Sequence, residues 1–471
     1  MTPSQPKEER PLGTLLAPDI LALLDEAPES VASETEEMHP ADLADVAEAI
    51  PRERVAELLR ALPDDRAADV LEYLDEDLRS EVLEAMTSKR AAQIVSQMTP
   101  DDRADVLDEL EEETAEEILA EIPAEARRET ERLLAYDPDT AGGLMTTEFV
   151  SVPETLTVEQ ALALVRGAAR AGRKEAMYAI YATDAAGRLH GVLSLRELLA
   201  APDGARVADV AWTEVVSVPA SADREEVAHV TANYGLVAVP VVEDDRRLVG
   251  VVTVDDVIDV IQEEQTEDVQ KLGGLEALDE PYMQIGFLRM LRKRAGWLSI
   301  LFVGEMFTAT ATAHYQGEIE KTVVLSLLMP LIISSGGNSG SQATSLIIRA
   351  MALNELSLRD WWRVAGRELL AGLALGAILG ALGFARISTW QRFGLYDYGS
   401  HHTLVALTIA LSVVGVVTFG SLAGSMLPFI LRRFGLDPAS ASAPFVATLV
   451  DVTGLVIYFN VALLVLRGTL L

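Results

Sequence analysis

The sequence predicts a multidomain α-helical membrane protein: an α-superhelical N-domain, a tandem α/β repeat and a five-helix transmembrane domain. Three observations predict it. A 12-residue phrase recurs through residues 1–140, a second duplication with strand character follows in residues 141–262, and five long apolar stretches lie beyond Gly286. A connecting helix over 263–288 joins the soluble part to a membrane part over 289–471.

In the first region an acidic or amide residue is followed by apolar ones at Asp45, Glu57, Asp69, Glu81, Gln93, Asp105 and Glu117, each 12 residues from the last. Pro51, Pro63, Pro100 and Pro123 fall between the phrases, and proline cannot continue a helix interior, so each unit reads as one short helix. Such a helix cannot bury its apolar face alone, whereas a stack of them can. The region carries 39 acidic against 13 basic side chains, out of a formal net charge of −35 for the chain. That surface repels nucleic acid and anionic headgroups and attracts cations. Two uses stand open for it, a protein-binding solenoid and a cation-sensing array.

In the second region "TEFVSVP" (147–153) returns as "TEVVSVP" (213–219), and "GRLHGVLSLRELL" (187–199) returns as "RRLVGVVTVDDVI" (246–258). Each copy reads as strand, helix, two strands and helix. With Gly250, Thr253 and Asp256 in one copy and Gly191, Ser194 and Glu197 in the other, the region resembles a CBS-domain pair. That resemblance implies an ATP site using Thr253, Asp256 and Ser194, or else a purely structural dimerisation module, since Asp255 would oppose phosphate. The following stretch, "DVIDVIQEEQTEDVQKLGG", is helical and heavily acidic.

The apolar stretches 296–314, 323–348, 368–387, 404–431 and 444–466 are each long enough to cross about 30 Å of hydrocarbon. Basic residues crowd one set of their ends (Arg289, Arg292, Lys293, Arg294, Arg349, Arg359, Arg363, Arg367, Arg432, Arg433), which predicts a cytoplasmic N-terminus and an outside C-terminus. The polar start, residues 1–10, has no apolar core and agrees with that orientation. The absence of cysteine excludes disulfides and thiol chemistry, and no Ser–His pair or His-rich motif lies in the spans, so no enzyme is expected.

Ionisable residues at bilayer depth are costly and mark ion paths. Asp451, with Thr448 and Thr453 nearby, offers oxygen to a hard divalent cation; because Mg2+ sheds water reluctantly, it would be held through its hydration shell. Glu305 either lines the path or is a protonated or Arg-paired structural group. Pro330 and the run Ser334–Ser341 should interrupt the second span, freeing carbonyls beside Gly336, Gly337, Asn338 and Gln342; close helix packing is the other reading of the glycines.

The run Pro330, Gly336-Gly337-Asn338, Gly340, Gln342 and Arg349, with "HYQGEIEK" and "DPASASAPFVATLVDVTGLVIYF", resembles the MgtE family of Mg2+ transporters. The resemblance implies a homodimer in membrane lipid with Asp451 in a pore between protomers, Mg2+ being both substrate and regulator. It implies closure by cytoplasmic Mg2+ at Asp223, Asp256, Asp259, Glu264, Glu267 and Asp268, with Asp437 docking to them, and at Asp69, Asp101 and Asp105 of the N-domain. Glu305 and the extra hydroxyls of "SSGGNSGSQAT" depart from the family pattern. Two other functions remain: a Na+- or H+-coupled divalent cation exchanger, with Glu305 as proton carrier, and a membrane nucleotide sensor that transports nothing.

Overall fold

The computed structural model describes residues 11–170, 179–202, 204–278, 282 and 285–470. The polar start, residues 1–10, and positions 279–281, 283 and 284 of the expected connecting segment lie outside the described residues. The chain divides into two compact units, Met1–Ile261 and Gln262–Leu471.

The first unit begins with ten helices: α1 (Pro11–Glu26), α2 (Val31–Glu34), α3 (Pro40–Ala49), α4 (Arg52–Ala61), α5 (Asp64–Glu72), α6 (Glu76–Glu84), α7 (Ser88–Val95), α8 (Pro100–Asp108), α9 (Glu112–Glu121) and α10 (Ala124–Leu133). Pro51, Pro63 and Pro123 stand at N-cap positions and Pro100 opens α8, so each proline sits where its missing N–H costs nothing. The repeat sets the core. Helix α4 buries Val55, Ala56, Leu58 and Leu59; α5 buries Ala67, Ala68, Val70 and Leu71, the same places one repeat on; α7 buries Ala91, Ala92, Ile94 and Val95. Alternate helices pack together, α3 on α5 on α7 on α9 and α4 on α6 on α8, which is a two-layer superhelix. Helix α8 departs from the pattern by burying Asp101 and Arg103.

A short helix α11 (Ala141–Leu144) leads into the tandem α/β repeat. Its first copy is β1 (Val150–Pro153), α12 (Val158–Arg170), β2 (Ile180–Thr183), β3 (Leu189–Leu193), α13 (Leu195–Ala200) and α14 (Val207–Val210). The second is β4 (Val218–Pro219), α15 (Arg224–Tyr234), β5 (Ala238–Val242), β6 (Leu248–Thr253) and α16 (Val254–Leu272). In each copy the first two strands are parallel and the last two antiparallel, giving sheets ordered β1-β2-β3 and β4-β5-β6. Ala104 of α8 and Leu133 of α10 join Val218, Val239, Val241 and Val252 in one core, so the last helices of the superhelix are packed into the second copy. Helix α16 ends at Gly273-Gly274, where Gly274 takes a φ of +77°.

The second unit holds α17 (Phe287–His314), α18 (Gln316–Lys321), α19 (Val323–Ala352), α20 (Trp361–Arg392), α21 (His402–Arg433) and α22 (Ala443–Leu466). Four segments, Val323–Ala352, Leu358–Arg392, His402–Arg433 and Ala443–Leu466, are long and apolar enough to cross a membrane. The first expected span lies in α17, which has the length but carries Arg289, Arg292, Lys293, Arg294 and Glu305. None of its described side chains is fully buried.

The expected break in the second span does not occur. Helix α19 is continuous over 30 residues, with Pro330 inside it. Proline forfeits one backbone hydrogen bond, a loss that packed helices tolerate. The glycines serve close approach instead: a Cβ at Gly420 of α21 would lie 2.3 Å from the Gly336 oxygen, and one at Gly424 would lie 2.2 Å from the Gly340 oxygen. Thr344 Oγ1 is 2.9 Å from the carbonyls of both Gly340 and Gly424, and the Ser339 and Ser421 hydroxyls meet at 2.7 Å. The backbone carbonyls of the run therefore stay within a regular helix.

Candidate ion pathway and acidic sensing surfaces

Helices α17, α19 and α22 enclose an open cleft of about 470 Å³. Asp451 enters it from α22, Glu305 and Thr308 from α17, and Pro330, Ser334, Gly337, Asn338 and Ser341 from α19. Asp451 stays in place because its helix is anchored on both sides. Val450 and Leu455 are fully buried, and Tyr458, also buried, donates its hydroxyl to the Leu325 carbonyl at 2.8 Å. Trp297 of α17 donates to Ser442 Oγ at 3.2 Å beside the start of α22, and Ser442 caps that helix. Of the pathway residues expected from sequence, Asp451, Glu305, Asn338 and Gly337 share this cleft. Gly336 faces Val416 and Val450, Gln342 lies exposed outside the cleft lining, and the Thr448 hydroxyl is bonded to the Pro444 carbonyl at 3.0 Å.

The second constellation lies in the first unit. Asp101, only 5% exposed, has one carboxylate oxygen with no hydrogen-bond partner. Burial, and then Asp102, push its carboxyl above the usual range, against the opposing influence of the Thr99 and Thr146 hydroxyls, and Thr99 Oγ1 donates to Asp102 at 2.5 Å. Burial and the charges of Asp101, Asp255 and Asp102 raise Asp256 well above that range, although Thr253 Oγ1 donates to it at 2.6 Å. Burial, Asp101 and Asp102 push Asp105 up to about 7; burial and Asp255 raise Asp259. Asp69, Asp102 and Asp255 all act on Tyr73, so they share this face. Arg79 faces Asp102 and Asp105 but spends its guanidinium on Glu109, donating from Nε at 2.9 Å. The acids thus crowd together, with the Arg103 guanidinium acting on Asp101 and Arg79 acting on Asp102 and Asp105. Among the described residues no three of them form a ready-made metal cage. An all-carboxylate donor set with an orphaned buried oxygen nevertheless suits a hard divalent cation.

The third constellation is in the second unit. Asp437 caps a 3-10 turn (Pro438–Ser440), accepting from the Ala439 N–H at 2.8 Å. Its other oxygen is 2.7 Å from Lys271 Nζ, and Lys271 also pairs with Glu267. Burial, Asp437 and Glu264 push Asp268 up to about 6. For Lys271 burial is outweighed by Asp437 and Glu267, which raise it above the usual lysine value.

Asp223, expected among the sensing ligands, caps α15, its carboxylate accepting from the Glu225 N–H at 2.8 Å. At the expected nucleotide site, Ser194 is locked in a capping box with Glu197, which also takes the Trp212 indole N–H. Sequence reasoning missed Asp102 and Lys271. The Glu267–Lys271 spacing of four on one helix was the available signal for the latter.

Comparison with known proteins agrees with this architecture. Residues 329–461 match the MgtE model, described as a divalent cation transporter; 38–139 match the MgtE intracellular N domain, and 141–204 and 207–263 match the CBS domain. The magnesium transporter MgtE of Thermus thermophilus is 44% identical over 342 residues, 73% of each chain. That of Enterococcus faecalis is 34% identical over 345 residues, also 73% of each. A crystal structure of the cytosolic domain of the Mg2+ channel MgtE in complex with ATP is similar over 52% of this chain and 99% of its own, at 38% identity and a TM-score of 0.49. The family-model matches and the relatives at 44% and 34% identity place the chain in the MgtE family of divalent cation transporters, which are integral membrane proteins.

Proposed function

We propose that this chain is a Mg2+ channel for uptake and homeostasis, closed by cytoplasmic Mg2+ bound among its acidic surfaces. One observation carries the reading: the Asp451 carboxylate stands in a cleft between apolar helices, beside Asn338 and Ser341. A carboxylate at that depth is retained where an ion passes. The relatives named as magnesium transporters supply the substrate class.

In this reading five helices, α17 and α19 to α22, span the membrane, with residues 1–140, 141–262 and the connecting segment 263–288 in the cytoplasm and the C-terminus outside. The pore forms between two copies of the chain, for which the unburied apolar side chains of α17 leave a surface. When cytoplasmic Mg2+ is low, repulsion within the Asp101–Asp256 and Asp268–Asp437 groups favours separation of the acidic surfaces. When it is high, bound ions reverse that, and closure follows because Mg2+ binds the closed state more tightly. ATP at the CBS pair would have to break the Thr253–Asp256 hydrogen bond; titration of the full chain with millimolar ATP, read by calorimetry, tests for it.

The deciding experiment is Mg2+ uptake into liposomes by wild type and Asp451→Ala. Uptake lost in the variant, with no dependence on pH or Na+ in the wild type, is the expected result. Equal uptake by both removes Asp451 from the path. Dependence on a Na+ or H+ gradient replaces the channel with an exchanger, and absence of uptake in the wild type leaves a sensor.

A further inference from the structure

We infer that Glu305 is a second, direct ligand of the permeating ion, so that the cleft holds a partly dehydrated divalent cation between the carboxylates of Glu305 and Asp451. The inference rests on the cleft being the ion path and goes further. A lone Asp451 would hold its ion through water, whereas two carboxylates this close take it directly.

The geometry follows from one glycine. A Cβ at Gly304 would lie 2.9 Å from the Thr448 methyl, one turn before Asp451, so the missing side chain lets α17 press against α22 at that level. The next residue, Glu305, lines the same cleft as Asp451, within hydrogen-bonding reach of its carboxyl. No lysine, arginine or histidine lines the cleft; its other polar groups are neutral oxygens and the Asn338 amide. Thr308, one turn beyond Glu305 and on the same lining, has a buried hydroxyl with no hydrogen-bond partner.

Oxygens in hydrogen-bonding contact are about 3 Å apart. Adjacent ligands on a Mg2+ octahedron, with metal–oxygen distances of about 2.1 Å, are also separated by about 3 Å. A fully hydrated ion has no room between two carboxylates so placed, whereas an ion that has given up two waters bridges them. Direct coordination has a consequence for selectivity. Mg2+ dehydrates reluctantly, while oxygen sites hold later first-row ions such as Co2+ more strongly as the series advances from Mn2+. Co2+ therefore occupies the pair more tightly than Mg2+ and blocks its passage.

The test measures Mg2+ influx into liposomes carrying the full chain, with increasing external Co2+. In the wild type Co2+ halves the influx at a concentration well below that of Mg2+. In Glu305→Gln the influx falls but stays measurable, and the half-blocking Co2+ concentration rises at least tenfold. An unchanged half-blocking concentration in Glu305→Gln, with influx lost in Asp451→Asn, overturns the inference and leaves the ion path standing. Influx that survives Asp451→Asn overturns both. If Glu305→Gln does not yield monodisperse protein, Glu305→Asp, which draws the carboxylate back by about 1.5 Å, takes its place. A threefold weaker block supports the second ligand, and an unchanged block rejects it.

Discussion

Replacing Lys271 by glutamine separates two roles for the ammonium that sits between Glu267 and Asp437. As a tethered cation it occupies the place of a regulatory ion, and its loss strengthens Mg2+ binding; as a latch it holds the closed state, and its loss weakens closure. The structure favours the first role. Lys271 Nζ lies 2.7 Å from Asp437 Oδ2, and Glu264 and Asp268 adjoin the same group, so the ammonium stands among four carboxylates. A divalent ion among these acids would sit about 5 Å from the ammonium. The repulsion at that distance is about 2 kcal/mol at an effective dielectric constant near 60. Lys271 and Asp437 keep 29% and 37% of their side-chain surface in solvent. Screening there halves the figure to about 1 kcal/mol, or roughly five- to tenfold in affinity. The assay loads liposomes with graded internal Mg2+ and measures the concentration that halves the flux. Lys271→Gln lowers it five- to tenfold. A half-closing concentration that stays put or rises refutes the tethered-cation reasoning.

Other outcomes follow from the same geometry. Gly420→Ala drives a methyl to 2.3 Å from the Gly336 oxygen and costs about 1–3 kcal/mol, read as a fall of several degrees in melting temperature in detergent; Gly366→Ala, with nothing within 4 Å, is the control. Tyr458→Phe removes the buried hydrogen bond to the Leu325 carbonyl and costs about 1 kcal/mol in the same assay. Asp101, Asp105 and Asp268 bind protons more tightly folded than unfolded, so their contribution to stability is complete below about pH 4. It is lost as pH climbs through about 6 for Asp268 and about 7 for Asp105. In EDTA the melting temperature therefore falls between pH 5 and pH 8, Mg2+ restores it more at pH 8, and Asp101→Asn flattens the profile; a rising profile in EDTA contradicts the assignment.

The repeat was legible because a 12-residue period places the same four apolar positions in α4, α5 and α7, and proline marks the starts of α4 and α5. The strands of the tandem domain were legible from duplicated β-branched runs. The glycine run misled, because proline and small residues weaken an isolated helix in water, whereas here the packed surface of α21 compensates. Sequence alone could not distinguish those cases, since the partner glycines Gly420 and Gly424 lie about eighty residues away. Asp451 stood out as an acid in an apolar segment. Its contact with Glu305 depends on the closeness of two helices, which Gly304 permits but does not announce.

The two acidic groups differ in one respect that bears on feedback. Around Asp101 and Asp256, Arg79 is bidentate on Glu109 and faces Asp102 and Asp105 only as a neighbour, while Arg103 gives its Nη atoms to the Ala126 and Met98 carbonyls and acts on Asp101 through space. Around Asp268 and Asp437, Lys271 makes direct ion pairs. A divalent ion gains more where no ammonium or guanidinium pairs directly with the carboxylates, so under the proposed gating the first group would fill at lower Mg2+ than the second. Under the proposed gating, two affinities would make a graded sensor, the first group responding when the ion is scarce and the second resisting closure until it is plentiful. Lys271→Gln brings the two thresholds together, and the closing curve then steepens as its midpoint falls.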